Sequence, residues 1–372
     1  MVSLALLGAA GATAANTSYD ANGTFLLNNS RAFPIVLSEP PPRDGTTPAG
    51  ANALAEIASA GVNFVRVGPP GVPWSDTEIA NVQAWDQAVA PLGMYTWVKL
   101  RELASAQPST ANADMLKRVI STLKGDAGFG LWKGADEPWW SGLTPAQLQY
   151  PYCMGTSRGS LSWCSPDSPL DSNHVWVTIE APRGTASDLQ PYSAVTDSHG
   201  VDIYPVTYGV VNPDLHQVGT WTQTMSSITP NHLVWTTLQI CSSGSRAPDE
   251  SGDYVLPTKA QERYMIYDAI INGARALAFF GGNVNYCWNS TDTKFNWNWT
   301  FWNTVLKGLV QEINASSPLA SALVNAGSTQ TLASSDASSE VISRQGTDPG
   351  DIWVMAARSG SGTQAVTISG LP

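Results

Sequence analysis

The stretch "GLWKGADEPWW", residues 130–140, is a short run of small and apolar residues that ends in Asp136 and Glu137. A proline and two tryptophans follow at once. Burying a charge without a partner is costly, so a strand that ends in two acids ends where something needs them. The stretch therefore predicts a β-strand that leads into a polar site.

Seven other short runs rich in β-branched and aromatic residues flank this one, and helical patterns such as "KAQERYMIYDAIINGA" lie between them. Strands that alternate with helices are typical of βαβ units and a parallel sheet. The eight predicted strands are 33–39, 62–68, 94–102, 129–137, 174–180, 199–206, 232–240 and 276–282. Eight such units predict an α/β fold, a (β/α)8 TIM barrel.

Most of the predicted strands end in a polar or charged residue. These endings are Glu39, Glu102, Glu137, Glu180, Asp202 and Gln239. Active sites of this fold lie at the C-terminal ends of the strands. The pattern therefore predicts an active site built from several strand ends.

The chain divides into three predicted parts. Residues 1–15 are predicted to be the remnant of a signal peptide, because an apolar stretch precedes Ala12-Thr13-Ala14, a pattern typical of a cleavage site. The basic residues that begin a signal peptide are missing, so Met1 either lies inside the signal or is an internal Met. Residues 16–324 are the barrel, preceded by a hairpin in "YDANGTFLLNNSRAF" that caps its floor. Residues 325–372 have strand patterns and are expected to be a truncated, β-sandwich-like appendage.

Charge and composition limit the partners. The 372 residues carry 30 acids against 19 bases, a net charge of −11, with no basic run, which argues against nucleic acid. After the leader, no stretch approaches the length of a membrane span. We expect a secreted monomer that needs no cofactor. A neutral polymer, such as a poly- or oligosaccharide, is compatible with this charge, although acidity alone more often only confers solubility.

Four cysteines in an exported chain suggest two disulfides, for which three pairings exist. Cys153 and Cys164 are close in sequence, while Cys241 and Cys287 follow two apolar runs that could be neighbouring strands. We predict the pairs 153–164 and 241–287; the alternative is four free thiols. Neither the cysteine spacings nor the four histidines predict a metal site.

Three stretches resemble the clan A barrel glycoside hydrolases. The stretch "GLWKGADEP" resembles their fourth strand, and "GVDIYPV" resembles their sixth. The stretch "QERYMIYDAIINGARALAFFGG" is similar to the last helix and strand of a poorly characterised secreted group within that superfamily. The resemblance spans roughly residues 17 to 315. It implies that Glu137 is the general acid/base. Asp136 stands where most of the clan has an Asn that binds the sugar 2-hydroxyl.

The residues themselves favour the same role for Glu137. A carboxyl at a barrel mouth, among tryptophans and beside Asp136, is partly desolvated and close to a like charge, and both effects raise its pKa. A raised pKa suits a general acid. The alternative is that Asp136 and Glu137 merely cap the helix that follows.

On the seventh strand the clan has a nucleophilic Glu, and this chain has Gln239. A second carboxylate would have to come from Asp202, Glu180, Glu262 or Asp136, with Asp202 ranked first. Its separation from Glu137 would distinguish retention, at about 5.5 Å, from inversion, at about 6.5–9.5 Å. The alternative for Glu262 is a helix N-terminal acid that pairs with Arg263 or Arg66.

Further residues are candidates for substrate binding. Aromatic rings stack on sugar faces, so Trp139, Trp140 and Trp288 are candidate platforms. Tyr204 is a candidate hydrogen-bond donor or a core residue, and Arg66 is a candidate support for a carboxylate or a sugar hydroxyl. Because Gln239 cannot act as a nucleophile, a carbohydrate-binding barrel without activity is the second hypothesis.

Overall fold

The structure is a computed structural model that describes residues 14–156, 164, 169–207, 210, 212–229, 233–241, 256–325, 327, 329–348, 350–360 and 362–371. Most of the predicted leader therefore lies outside the described residues. The chain opens with a small antiparallel sheet of three strands, β1 (Thr17–Tyr19), β2 (Phe25–Leu27) and β3 (Ser30–Arg31).

Eight parallel strands then close into a barrel. In chain order they are β4 (Ile35–Leu37), β5 (Phe64–Val67), β6 (Tyr95–Lys99), β7 (Phe129–Asp136), β8 (Val175–Glu180), β9 (Ser198–Ile203), β10 (Trp235–Gln239) and β11 (Ala276–Phe280). Each strand pairs with the next, and β11 returns to β4 with Ala278 opposite Val36. The predicted (β/α)8 barrel is confirmed.

Helices connect the strands and pack outside the barrel. They are α1 (Ala53–Ala60), α2 (Asp76–Val89), α3 (Ala111–Leu123), α4 (Pro145–Gly155), α5 (Ala186–Leu189), α6 (Gln217–Ile228), α7 (Lys259–Ile271), α8 (Trp299–Phe301), α9 (Lys307–Ile313) and α10 (Ala320–Val324). Side-chain hydrogen bonds cap six of their N-termini and so fix where those helices begin; the capping residues are Asn52, Ser75, Thr110, Thr185, Thr258 and Asn298. In the described part of the chain, no helix is both long and apolar enough to span a bilayer.

The C-terminal segment forms two antiparallel strand pairs. Strand β12 (Ala333–Ser334) pairs with β15 (Ile368–Ser369), and β13 (Ser339–Gln345) pairs with β14 (Ile352–Arg358). The second pair packs against α7 and thereby joins this segment to the outside of the barrel.

Both predicted disulfides are present. Cys153 at the end of α4 is bonded to Cys164, and Cys241 after β10 is bonded to Cys287 after β11. The second bond joins the loops that leave the last two barrel strands at their C-terminal ends.

The barrel interior is filled by side chains rather than open. Trp97 and Trp235 face each other with ring centroids 5.1 Å apart. At the floor, Phe25 from the N-terminal sheet is fully buried and contacts Phe64 edge to face. The sheet therefore closes the barrel at the end opposite the strand C-termini.

We predict that Phe25→Ala lowers the free energy of unfolding by about 3–5 kcal/mol, because it removes a ring that fills the floor and leaves a cavity. Urea unfolding measures the change. The control is Val72→Ala at an exposed position, expected within about 0.5 kcal/mol of the wild type. A cost below about 1 kcal/mol for Phe25→Ala would show that the floor does not depend on this ring.

Candidate active site

Strand β7 delivers the two central carboxylates through an irregular end. Its register against β8 shifts between Lys133 and Asp136, and Glu137 has a φ of 47°, in the left-handed region. A non-glycine residue there costs about 1–3 kcal/mol and recurs at functional sites. The backbone N–H of Glu137 still donates to Ile179 O at 2.7 Å, so the irregular conformation is held by the neighbouring strand.

The strand ends surround a cavity of about 190 Å³, here called the inner cavity. Its lining residues are Ser38, Arg66, Trp97, Lys133, Asp136, Glu137, Ile179, Asp202, Tyr204, Thr237 and Phe280. A second cavity of about 340 Å³, the outer cavity, is lined by Glu137, Trp140, Ala181, Pro182, Arg183, Asp202 and Tyr204. Glu137, Asp202 and Tyr204 line both cavities and so stand between them.

The electrostatics of Glu137 follow the expectation from the sequence. Burial raises the pKa of its carboxyl, and the charges of Asp136 and Glu180 raise it further. A hydrogen bond with the carboxyl of Asp202 and the charge of Lys133 act in the opposite direction, and the net shift is upward. Glu137 therefore keeps its proton to a higher pH than an ordinary Glu.

Asp202, on β9, lies against Glu137. Burial, followed by the charges of Glu137 and Asp136, raises the pKa of Asp202 to about 8. Tyr204, two residues on, is hydrogen-bonded to Asp202, and its hydroxyl pKa is itself raised by burial and by this carboxyl.

Asp136 has the opposite electrostatic character. Burial raises its pKa, but Lys133 and Arg66 outweigh burial and the net shift is downward. Its carboxylate binds the amine of Lys133, and the Asp136 side chain, 66% exposed, also lines the inner cavity. One carboxyl of lowered pKa and two carboxyls of raised pKa thus share one cavity.

Lys133 is a site residue that the sequence reasoning missed. The amine is 3% exposed inside the barrel, 5.7 Å from the Trp97 ring centroid, and burial lowers its pKa. The sequence contained a signal for Lys133. It lies two residues after Leu131 on the same strand, so both side chains point to the same face, and Leu131 points into the barrel interior. A lone Lys at an inward position of an apolar strand needs an acid partner.

Gln239, at the position of the clan's nucleophile, is used by the fold. Its buried side chain accepts from Val206 N at 2.7 Å and donates to Val206 O at 2.7 Å and Cys241 O at 2.9 Å. The amide fastens the segment after β9 to the end of β10 and does not line either cavity. Thr237, two residues earlier, is the β10 side chain that lines the inner cavity.

Glu180 and Glu262 lie outside both cavities. Glu180 is fully buried, accepts from Trp139 N at 3.2 Å and lies 3.4 Å from His199 Nε2. Glu262, on α7, is also buried, and among the described residues neither of its oxygens has a hydrogen-bond partner. Burial raises the pKa of Glu262 well above its ordinary value.

The ion pairs considered for Glu262 are wrong. Arg263 bonds Glu312 at 2.8 Å, and Arg66 bonds Glu39 and donates to Ser38 O. Arg66 reaches the inner cavity instead, where its charge helps to keep Asp136 ionised.

The three candidate tryptophans have different surroundings. Trp140 is 48% exposed and lines the outer cavity, with the Arg183 guanidinium 3.4 Å from its ring centroid. Trp139 is partly buried and packs against the core. Trp288 donates to Gly282 O at 3.0 Å and lines neither cavity.

The histidines were not predicted to form a metal site. Within the described ranges, one group could hold an ion: His216, Asp268 and Glu340, whose ligand atoms lie within 4.8 Å of one another. None of the three lines the inner or outer cavity. Glu340 comes from β13, so this group joins the C-terminal segment to the barrel and could not be found from histidine spacing.

Comparison with known proteins gives fold relatives alone. No family model matches the chain, and no curated protein matches it. A glycoside hydrolase structure shares 12% identity at a TM-score of 0.49, covering 80% of this chain and 72% of the other. A glycoside hydrolase family 5 structure from Bacteroides vulgatus shares 12% identity at a TM-score of 0.48. That match covers 73% of this chain and 63% of the other.

A β-glucuronidase from Bacteroides uniformis shares 15% identity at a TM-score of 0.43. The match covers 72% of this chain and 32% of the enzyme, so it spans about a third of that protein. The functional assignment therefore rests on the chemistry of the site.

We predict that Gln239→Glu lowers the free energy of unfolding by about 1–3 kcal/mol, because a carboxylate cannot donate to the Val206 and Cys241 carbonyls and would leave them unpaired. Chemical unfolding at pH 7 tests this. The matched control is Gln217→Glu at an exposed position on α6, expected to be neutral. A fully stable Gln239→Glu protein would contradict the structural role of this amide.

Proposed function

We propose that the chain is a glycoside hydrolase that cleaves an O-glycosidic bond of a poly- or oligosaccharide, with Glu137 as proton donor. The observation that carries the proposal is the divergence of carboxyl pKa values in one cavity. The pKa values of Glu137 and Asp202 are raised, whereas that of Asp136 is lowered. Environments that separate carboxyl pKa values in this way define an acid and an ionised partner.

Proton transfer starts from Glu137, which stands between the inner and outer cavities. With sugars on both sides, the glycosidic oxygen lies beside its carboxyl. The proton passes from Glu137 to that oxygen, the bond from the oxygen to the anomeric carbon breaks, and one sugar leaves as an alcohol. Water then bonds to the anomeric carbon and gives its proton to an ionised carboxylate of the site.

Asp202 stabilises the Glu137 carboxylate that remains after the proton has been transferred. Because its pKa is about 8, Asp202 is protonated at neutral pH and donates to the Glu137 carboxylate once the proton has gone. Tyr204 holds Asp202 by a hydrogen bond. Asp202 is thus assigned to the proton donor's support rather than to the second carboxylate role that its strand position suggested.

Asp136 is the ionised carboxylate that faces the inner cavity. Lys133 and Arg66 keep it charged, and its accessible side chain can balance the positive charge that develops on the sugar or accept a proton from water. Trp140, with Arg183 on its ring, forms one wall of the outer cavity and can contact the second sugar.

The two disulfides favour an oxidising compartment, in line with the proposed secretion. A monomeric state and the three-part division of the chain stay predictions.

Gln239 favours the second candidate, a carbohydrate-binding barrel without turnover. Its amide is committed to the backbone, so β10 contributes no carboxylate to the cavity. Binding of an oligosaccharide without release of product separates this candidate from the hydrolase.

We predict that Glu137→Gln lowers kcat/KM by about 10²–10⁴-fold, because Gln has no proton to give. Reducing-sugar release from a broad polysaccharide panel measures the effect, with circular dichroism to verify folding. Glu312→Gln, which removes a surface partner of Arg263, is the matched control and should keep full activity. A folded Glu137→Gln protein with wild-type turnover would exclude Glu137 as the acid.

A further inference from the structure

A third cavity of about 680 Å³, here called the side cavity, adjoins the inner cavity and shares Ser38 and Arg66 with it. Its charged lining residues are Arg43, Arg66, Lys99 and Lys294 against Glu39, Asp44 and Glu78. Two of these acids are already paired, Glu39 with Arg66 and Asp44 with Arg43. In a chain of net charge −11, the side cavity is thus locally richer in cations than in acids.

Lys99 is a lining residue whose charge neighbouring cations oppose. It ends β6, is partly buried, and makes no ion pair with any carboxylate that the described ranges contain. Arg66, Arg101 and Lys133 repel it, while the one attracting acid, Glu39, already binds Arg66. Burial and these cations lower the pKa of the Lys99 amine.

The backbone beside Lys99 is adapted to its position. Gly68 follows β5 with a φ of 125°, and a Cβ there would lie 2.8 Å from Lys99 Cγ and 3.0 Å from its carbonyl oxygen. Only a glycine leaves room for the stem of Lys99. Lys99 and Arg66 both line the side cavity, and the charge of Arg66 acts on the Lys99 amine.

We propose that Lys99, together with Arg66, binds an anionic substituent of the substrate, the carboxylate of a uronic acid or a sulfate ester, on a sugar beside the one held at Glu137. An anion between Lys99 and Arg66 would offset the repulsion that Lys99 receives from Arg66, Arg101 and Lys133, which Glu39, already bound to Arg66, opposes alone. The inference rests on the proposed carbohydrate site and changes the expected substrate from a neutral to an acidic poly- or oligosaccharide.

The test is calorimetric binding to the Glu137→Gln protein, which holds substrate without turnover. The probes are tetrasaccharides of polygalacturonate, of alginate and of a sulfated galactan, with neutral tetrasaccharides of cellulose and xylan for comparison. The uronate and sulfate probes distinguish the two sources of the anion. We expect an acidic probe to bind and its affinity to fall as NaCl is raised, because salt screens the pair.

Adding Lys99→Gln should weaken that acidic probe about tenfold or more, the size of a lost charge-assisted hydrogen bond. Lys99→Arg keeps the charge and should lose much less, which separates the charge from a packing defect. Lys117→Gln, at an exposed position on α3, is the control and should bind as the parent protein does.

The outcomes separate the two proposals. Acidic binding that depends on Lys99 supports this inference even if the wild type releases no sugar, and in that case the hydrolase proposal fails alone. Binding of neutral probes only, or acidic binding that Lys99→Gln leaves unchanged, overturns the anion site and leaves the hydrolase proposal standing.

Discussion

Contact between the carboxyls of Glu137 and Asp202 is the constraint on which the rest of the site depends. Two carboxyls that are hydrogen-bonded in a partly buried site cannot both ionise near neutral pH, so the pair keeps a proton. The cations nearby would suppress this effect if they reached the pair directly. Lys133 instead binds Asp136, so the pair formed by Glu137 and Asp202 keeps its proton.

The barrel supplies this arrangement by bringing distant parts of the chain together. Glu137 directly follows β7, and Asp202 lies near the C-terminal end of β9; the two strands are separated in the sheet by β8. Glu137 lies between the two cavities, at the irregular end of β7, and its backbone there has a positive φ. Backbone strain there is held by the bond to Ile179 and is compatible with a functional position.

Much of the architecture could be predicted from the sequence, because apolar runs and their polar ends report directly which residues enter a parallel barrel. Glu137, Asp136 and Asp202 were found in this way. Side-chain partners were harder to predict. Gln239 binds the Val206 backbone, and Glu262 is buried away from the cavities. Both arrangements depend on packing between distant segments, which strand periodicity does not encode. Lys133 was predictable from strand alternation, but it lies before the end of its strand, and the strand residues of the predicted site all lay at or near strand ends.

The most direct test is the protonation state of Asp202, followed by NMR of protein labelled with ¹³C at the Asp carboxyls. Comparison with Asp202→Asn identifies its signal among other buried acids of raised pKa such as Asp86 and Asp268. The account predicts that the Asp202 carboxyl stays protonated at pH 6 and titrates near pH 8. Titration near its ordinary value of about 4 would mean that Asp202 is ionised at neutral pH, and the proposed support for Glu137 would be contradicted.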